Sequence, residues 1–178
     1  MFKLLILDVD GVLTTGLKTY DIKGQVISKT FSDRDFTAIK QFICSNVKVI
    51  FLSGDSQINS IIAKNRKVDF FYSRGSTGQL SKSECAKKIL LENNLQSEQV
   101  IFVGDDLFDV EMRDYCKLMV CPNNSHYLMK ENSDLVLSTK SGEGCIQELF
   151  EYMVANQLIN PPTIEKVILR DSEENIKY

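Results

Sequence analysis

Short runs of branched apolar residues recur along this chain, and segments of helical period separate them. The runs are Lys3–Leu7, Val47–Leu52, Asp69–Tyr72, Val100–Val103, Leu118–Val120 and the weaker Leu135–Leu137. Between them, Phe36, Ile39 and Ile43 mark one helix face, and Ile58, Ile61 and Ile62 mark a second. Ala86, Ile89 and Leu90 give a third; Ile146, Leu149, Phe150, Met153 and Val154 give a fourth. A strand followed by a helix-length crossover returns parallel to its neighbours. The pattern therefore predicts an α/β fold with a doubly wound, mostly parallel sheet.

Two stretches interrupt the alternation. Leu17–Asp21 and Gln25–Thr30 flank Lys23-Gly24 and read as a β-hairpin inserted at about residues 17–30, straight after the first strand. The insert is too small to fold alone. The other gaps hold only ordinary crossovers, so no large cap domain is expected. Residues 1–160 then form one domain around one core. Pro161-Pro162 opens a charged tail, 161–178, expected as extended or mobile chain.

The bulk numbers remove several function classes. A net charge of −3 offers no general attraction for nucleic acid or an anionic membrane. No apolar run approaches the ~18–20 residues of a membrane span, and Asp8 and Asp10 interrupt the N-terminal run too early for a signal peptide. The five cysteines are scattered, with no C-x-x-C pair, so neither a disulfide framework nor a zinc site is expected and the cytoplasm is the expected compartment.

Four stations along the chain carry chemistry. Asp8-Val9-Asp10-Gly11 ends the first apolar strand, where ligands of open α/β sheets bind. Two carboxylates that close repel unless a cation stabilises them. At Ser53-Gly54 a second strand ends in a hydroxyl and a turn whose amides suit phosphate oxygens. Ser81-Lys82-Ser83-Glu84 has the form of a capping box, which puts Lys82 in a first helical turn. There the helix dipole disfavours a cation unless it faces an anion. Gly104-Asp105-Asp106-Leu107-Phe108-Asp109 brings three acids to another strand end, as a hard cation with oxygen ligands requires.

In this order, the stations resemble the motifs of the haloacid dehalogenase (HAD) superfamily: D-x-D-G, a Ser/Thr, a Lys and G-D-D-x-x-D. The likeness runs from about Lys3 to Asn156. Asp8–Thr14 with its hairpin, Phe31–Asp35, Ser125-His126 and Gly142–Gly144 are similar to the 3-deoxy-manno-octulosonate 8-phosphate phosphatase group. That resemblance implies a HAD-like, Rossmann-type fold and phosphomonoester hydrolysis of a sugar-acid phosphate. It implies Asp8 as nucleophile, Asp10 as acid and base, and Ser53, Gly54 and Lys82 around the phosphoryl group. Magnesium would be held by Asp8, the Asp10 carbonyl and Asp105, with Asp106 and Asp109 supporting from behind or through water. Asp8 should be ionised, its pKa lowered by the metal and Lys82. Arg34 and Arg74 are candidates for a substrate carboxylate. Small-capped members resemble homotetramers in which hairpins meet, so a homotetramer is expected.

The chain departs from the group at Phe36, where glycine is usual, and at Asp55, where the octulosonate enzymes usually have arginine. An acid at that place looks more like the phosphatases of nonulosonate 9-phosphates. Rival readings are a catalytically weak HAD-like domain partnering a sugar-nucleotide synthetase, a phosphotransferase, and a phosphorylation-dependent receiver domain. The receiver reading fails because its phosphorylated aspartate ends a central strand of its own sequence, whereas D-x-D-G ends the first strand here.

Overall fold

Leu4–Leu7, strand β1, is completely buried, because helices cover both faces of the sheet it centres. The computed structural model describes residues 1–74 and 80–174. After β1 come β2 (Thr14–Tyr20), β3 (Val26–Phe31), α1 (Asp33–Cys44), β4 (Lys48–Ser53), α2 (Gln57–Asn65) and β5 (Asp69–Tyr72). The second half holds α3 (Lys82–Asn93), β6 (Val100–Val103), β7 (Leu118–Cys121), α4 (Tyr127–Asn132), β8 (Leu135–Val136), α5 (Cys145–Ala155) and α6 (Ile164–Ser172).

The six-stranded sheet runs β5-β4-β1-β6-β7-β8 with parallel pairing between neighbours. Strand periodicity divides its side chains: Leu5 and Leu7 pack toward α1 and α5, while Leu4 and Ile6 pack toward α3. The chain moves from β1 outward to β4 and β5, then crosses back to β6. That reversal opens a crevice at the carboxyl end of β1. The expected doubly wound α/β fold is what forms.

The hairpin β2–β3 pairs antiparallel as a separate two-stranded sheet, with Lys18 directly opposite Lys29. Asp21 closes its turn: Oδ1 accepts from the amides of Lys23 and Gln25, both at 2.8 Å. Among the described residues, no other insertion of domain size lies between the strands.

The tail departs from expectation. Thr163 caps α6 by accepting from the Lys166 amide, and the helix packs along α1. The charges that suggested solvated chain are used in ion pairs. Lys40 contacts Asp171, Arg66 Nη1 lies 2.7 Å from Glu174, and Arg170 donates to the Arg66 carbonyl at 2.8 Å. Pro161-Pro162 thus lies in the connection between α5, which ends at Ala155, and α6. Residues 175–178 of the expected tail lie outside the described residues.

Phe36, the residue that stands where the group usually has glycine, is buried between Phe31 and Arg66. Its ring centroid is 5.6 Å from that of Phe31, and the Arg66 guanidinium lies 3.8 Å above it.

Candidate active site

The four stations converge on one open cleft of about 1420 Å³ at the carboxyl ends of β1, β4 and β6. Asp8 leaves β1 nearly buried, with its amide bonded to the Val103 carbonyl at 2.9 Å. The wide turn Val9–Leu13 follows, and Gly11 takes φ +85°, a left-handed conformation that glycine adopts freely. It also has to be small, since the Asp105 carboxylate lies over its Cα.

Lys82 begins α3 as the capping box foretold. Ser81 Oγ accepts from the Glu84 amide at 3.1 Å, and Glu84 accepts from the Ser81 amide at 2.7 Å. The Lys82 ammonium reaches back to within 3.2 Å of Asp8 Oδ1 and hydrogen-bonds Asp109 Oδ1. Burial works to lower the lysine pKa, but the Asp8 and Asp109 carboxylates together raise it, so the cation persists.

Carboxylate oxygens of Asp8, Asp105 and Asp109 lie within 4.8 Å of one another. Burial and mutual repulsion push Asp105 up to about 8. Burial likewise pushes Asp8 up to about 7, against the opposing pull of Lys82. The expected lowering at Asp8 is therefore not delivered by Lys82 alone, because desolvation outweighs one ammonium. A divalent cation fits this donor set. It meets hard carboxylate oxygens, and Asp105 Oδ1 is buried with no hydrogen-bond partner among the described residues.

Asp109 has other work. Its Oδ2 accepts from the amides of Asp105 and Asp106, at 2.9 and 3.0 Å, and its Oδ1 meets Lys82. Both oxygens are thus committed to shaping the loop and holding the lysine. Asp106 is exposed and caps the helical stretch Leu107–Tyr115, with its Oδ1 accepting from the Leu107 amide at 2.7 Å. His126 caps α4, and its amide donates to the Asp105 carbonyl at 2.8 Å, a structural link to the site.

On the β4 side, Ser53 is buried; its Oγ accepts from the Asp55 amide at 3.2 Å and from Asn59 Nδ2 at 2.9 Å. Gly54 and Arg74 line the cleft together, Arg74 Nη1 donating to the Gly54 carbonyl at 3.2 Å. Arg34 is exposed, its stem lies against Gly144, and it is not among the residues that line the cleft. The reason is its neighbour Asp35, which turns inward to accept from the amides of Gly144 and Ile146 at the start of α5.

Several cleft residues escaped the sequence reading. Lys18 on the hairpin and Ser73 just past β5 line the cleft, while Lys29 on the hairpin and Asn59 on α2 hold its lining residue Asp10 from behind. Lys29 bridges Asp10, Asp55 and Asn59, while Ser73 presents a buried hydroxyl with no partner among the described residues. The only sequence signal for the lysines was their facing register across the hairpin, which needs the turn to be placed to the residue.

Comparison with known proteins agrees with this geometry. The family profile of haloacid dehalogenase-like hydrolases matches residues 74–149. The 3-deoxy-D-manno-octulosonate 8-phosphate phosphatase of Haemophilus influenzae is 31% identical over 155 residues, 87% of this chain and 84% of that one. The cobalt-bound structure of the deoxy-D-mannose-octulosonate 8-phosphate phosphatase from Haemophilus influenzae superposes with TM-score 0.79 at 30% identity, covering 88% of this chain and 89% of that chain. A HAD-superfamily structure from Legionella pneumophila shares the fold with TM-score 0.82 at 22% identity, covering 97% of this chain and 91% of its own. The chain accordingly belongs to the haloacid dehalogenase-like hydrolases and is a phosphatase, in the group that includes the Haemophilus enzyme.

Proposed function

We propose that this phosphatase is magnesium-dependent, acts on a sugar-acid phosphate and works through an aspartyl-phosphate on Asp8. The observation that carries the reading is the buried Asp8 carboxylate, 3.2 Å from the Lys82 ammonium and grouped with Asp105. In the first step an Asp8 oxygen bonds to phosphorus while the bond to the sugar oxygen breaks, and Asp10 gives that oxygen its proton. In the second, Asp10 takes a proton from water, whose oxygen bonds to phosphorus as the Asp8–phosphorus bond breaks. Inorganic phosphate leaves, and Asp10 is protonated again.

Lys82, Ser53 and the turn at Gly54 surround the transferred group, where fixed positive and dipolar groups act most strongly. Magnesium, when bound, would neutralise charge on the phosphoryl oxygens. Asp8, Asp105 and the Asp10 carbonyl would hold it, with Asp109 and Asp106 shaping the loop behind. The cobalt carried by the Haemophilus structure supports a divalent cation here.

For substrate, the names of the relatives support 3-deoxy-octulosonate 8-phosphate. Asp55 favours a second reading, a nonulosonate 9-phosphate, because an acid in the cleft replaces the arginine usual in octulosonate enzymes. Arg74, which lines the cleft, and Arg34 remain the candidates for the substrate carboxylate. Exposed Leu17, Tyr20, Ile22 and Ile27 on the hairpin support self-association there as a homotetramer, which a solution mass measurement tests. The five free thiols are in keeping with a reducing cytoplasm.

The deciding experiment measures phosphate release with magnesium from octulosonate 8-phosphate and nonulosonate 9-phosphates, with Asp8→Asn as control. Strong preference for one ulosonate, lost in the control, is the expected result. No release from any of them by a magnesium-binding protein would instead favour a phosphotransferase or a synthetase-partner domain.

A further inference from the structure

Lys29 carries a side chain that is wholly shielded from solvent, 0% exposed, against Asp10 and Asp55 of the cleft lining. Taking an ammonium out of water is costly unless its donors are paired. All three N–H donors of a lysine have partners here: Asp10 Oδ2 at 3.0 Å, Asp55 Oδ2 at 2.8 Å and Asn59 Oδ1 at 2.9 Å. Asp10 Oδ1 lies 2.8 Å from the same nitrogen yet accepts no hydrogen bond from the described residues.

Asn59 completes the clamp. Fully buried on α2, it donates through Nδ2 to Asp10 Oδ2 at 3.1 Å and to Ser53 Oγ at 2.9 Å. One amide thus ties Asp10 to the serine beside the transferred group. Lys18, opposite Lys29 on the hairpin, lies 3.2 Å from both Asp10 and Asp55. Like charges directly opposite on a ladder repel. This pair is tolerated because Asp10 and Asp55 stand against it. Sheet stability alone gives no reason for a fully shielded lysine at this place. Its contacts converge on the carboxylate two residues from Asp8.

We propose that Lys29 is a positioning residue for Asp10. With Asn59 it fixes the Asp10 carboxylate toward the leaving-group oxygen and away from the pocket of Asp8 and Lys82, and Asp55 keeps the ammonium in place. The inference rests on the reading of Asp10 as the group that protonates the leaving oxygen.

The test compares kcat/KM of the full-length magnesium enzyme for an alkyl sugar phosphate and for p-nitrophenyl phosphate. Nitrophenolate departs without protonation, whereas a sugar alkoxide does not. Lys29→Met is expected to lower kcat/KM on the sugar phosphate by about 100-fold or more, the scale of general acid catalysis, and on the aryl ester by less than about tenfold. Adding Lys29→Met to Asp10→Asn is expected to cause no further loss on the sugar phosphate. Equal losses on both esters, or additive losses in the double variant, would overturn the proposal. If Lys29→Met does not fold, Lys29→Gln, which keeps a polar group but removes the ammonium, is judged by the same two comparisons. The alkyl–aryl contrast can be run with any alkyl phosphate the enzyme cleaves. Failure of the ulosonate panel therefore counts against the substrate reading, and loss of the contrast counts against the role of Lys29.

Discussion

The Asp105 carboxylate occupies the space that a side chain at position 11 would need. A Cβ built on Gly11 falls 2.0 Å from Asp105 Oδ2. Gly11→Ala has to push Asp105 out of the acidic cluster and also strain a residue held at φ +85°. The expected cost is about 1–3 kcal/mol of stability and at least tenfold weaker magnesium activation, on the order of 1.4 kcal/mol. Thermal unfolding and a magnesium titration of activity would check both.

Metal binding should be coupled to protons. Without metal, the folded chain holds Asp8 up to about 7 and Asp105 up to about 8, both above the ordinary 3.8. The folded state then binds more protons than the unfolded state between these values. Metal-free stability accordingly falls as pH rises through that window. Magnesium competes with those protons, so its stabilising shift in Tm should be larger near pH 8 than near pH 5. Calorimetry at pH 7 in buffers of different ionisation heat should show proton release. An equal Tm shift at both pH values would contradict the coupling.

Asp35 offers a second pH test, remote from the metal. Burial pushes its pKa up to about 6 although the amides of Ile146, Gln147 and Gly144 pull it down. A carboxyl raised in the folded state contributes stability at low pH that is lost as pH rises from about 4 to about 6. Over that range its contribution is about 3 kcal/mol. Asp35→Asn should flatten this part of the stability–pH curve in denaturant titrations, and an unchanged slope would place the buried proton elsewhere.

Phe36→Gly restores the residue usual in related enzymes and should nevertheless be harmful here. It empties a buried site between Phe31 and Arg66, for which about 3–5 kcal/mol is expected from Phe-to-small substitutions. Arg66 also holds Glu174 beyond α6, so that ion pair should loosen with it. Glu174→Gln should cost less than Phe36→Gly, since the aromatic packing survives. Urea unfolding of both variants gives the comparison.

The sheet was legible because a strand buried on both faces leaves an unbroken apolar run, as Leu4–Leu7 and Val100–Val103 do. The stations at Asp8, Ser53 and Asp105 were legible because parallel strands bring their carboxyl ends to one edge. Lys82 was placed by its capping box. Lys29 and Asn59 were not, since their meaning depends on which way a hairpin folds over and which face a helix turns inward. The helix α6 was hidden by its charges, whose partners on α1 and α2 lie more than a hundred residues earlier.

The facing register of Lys18 and Lys29 also limits how the insertion can change over time. Side chains alternate faces along a strand, so gaining or losing one residue between the turn and either lysine would point that ammonium at solvent. The arms of the hairpin can therefore lengthen only in steps that keep parity.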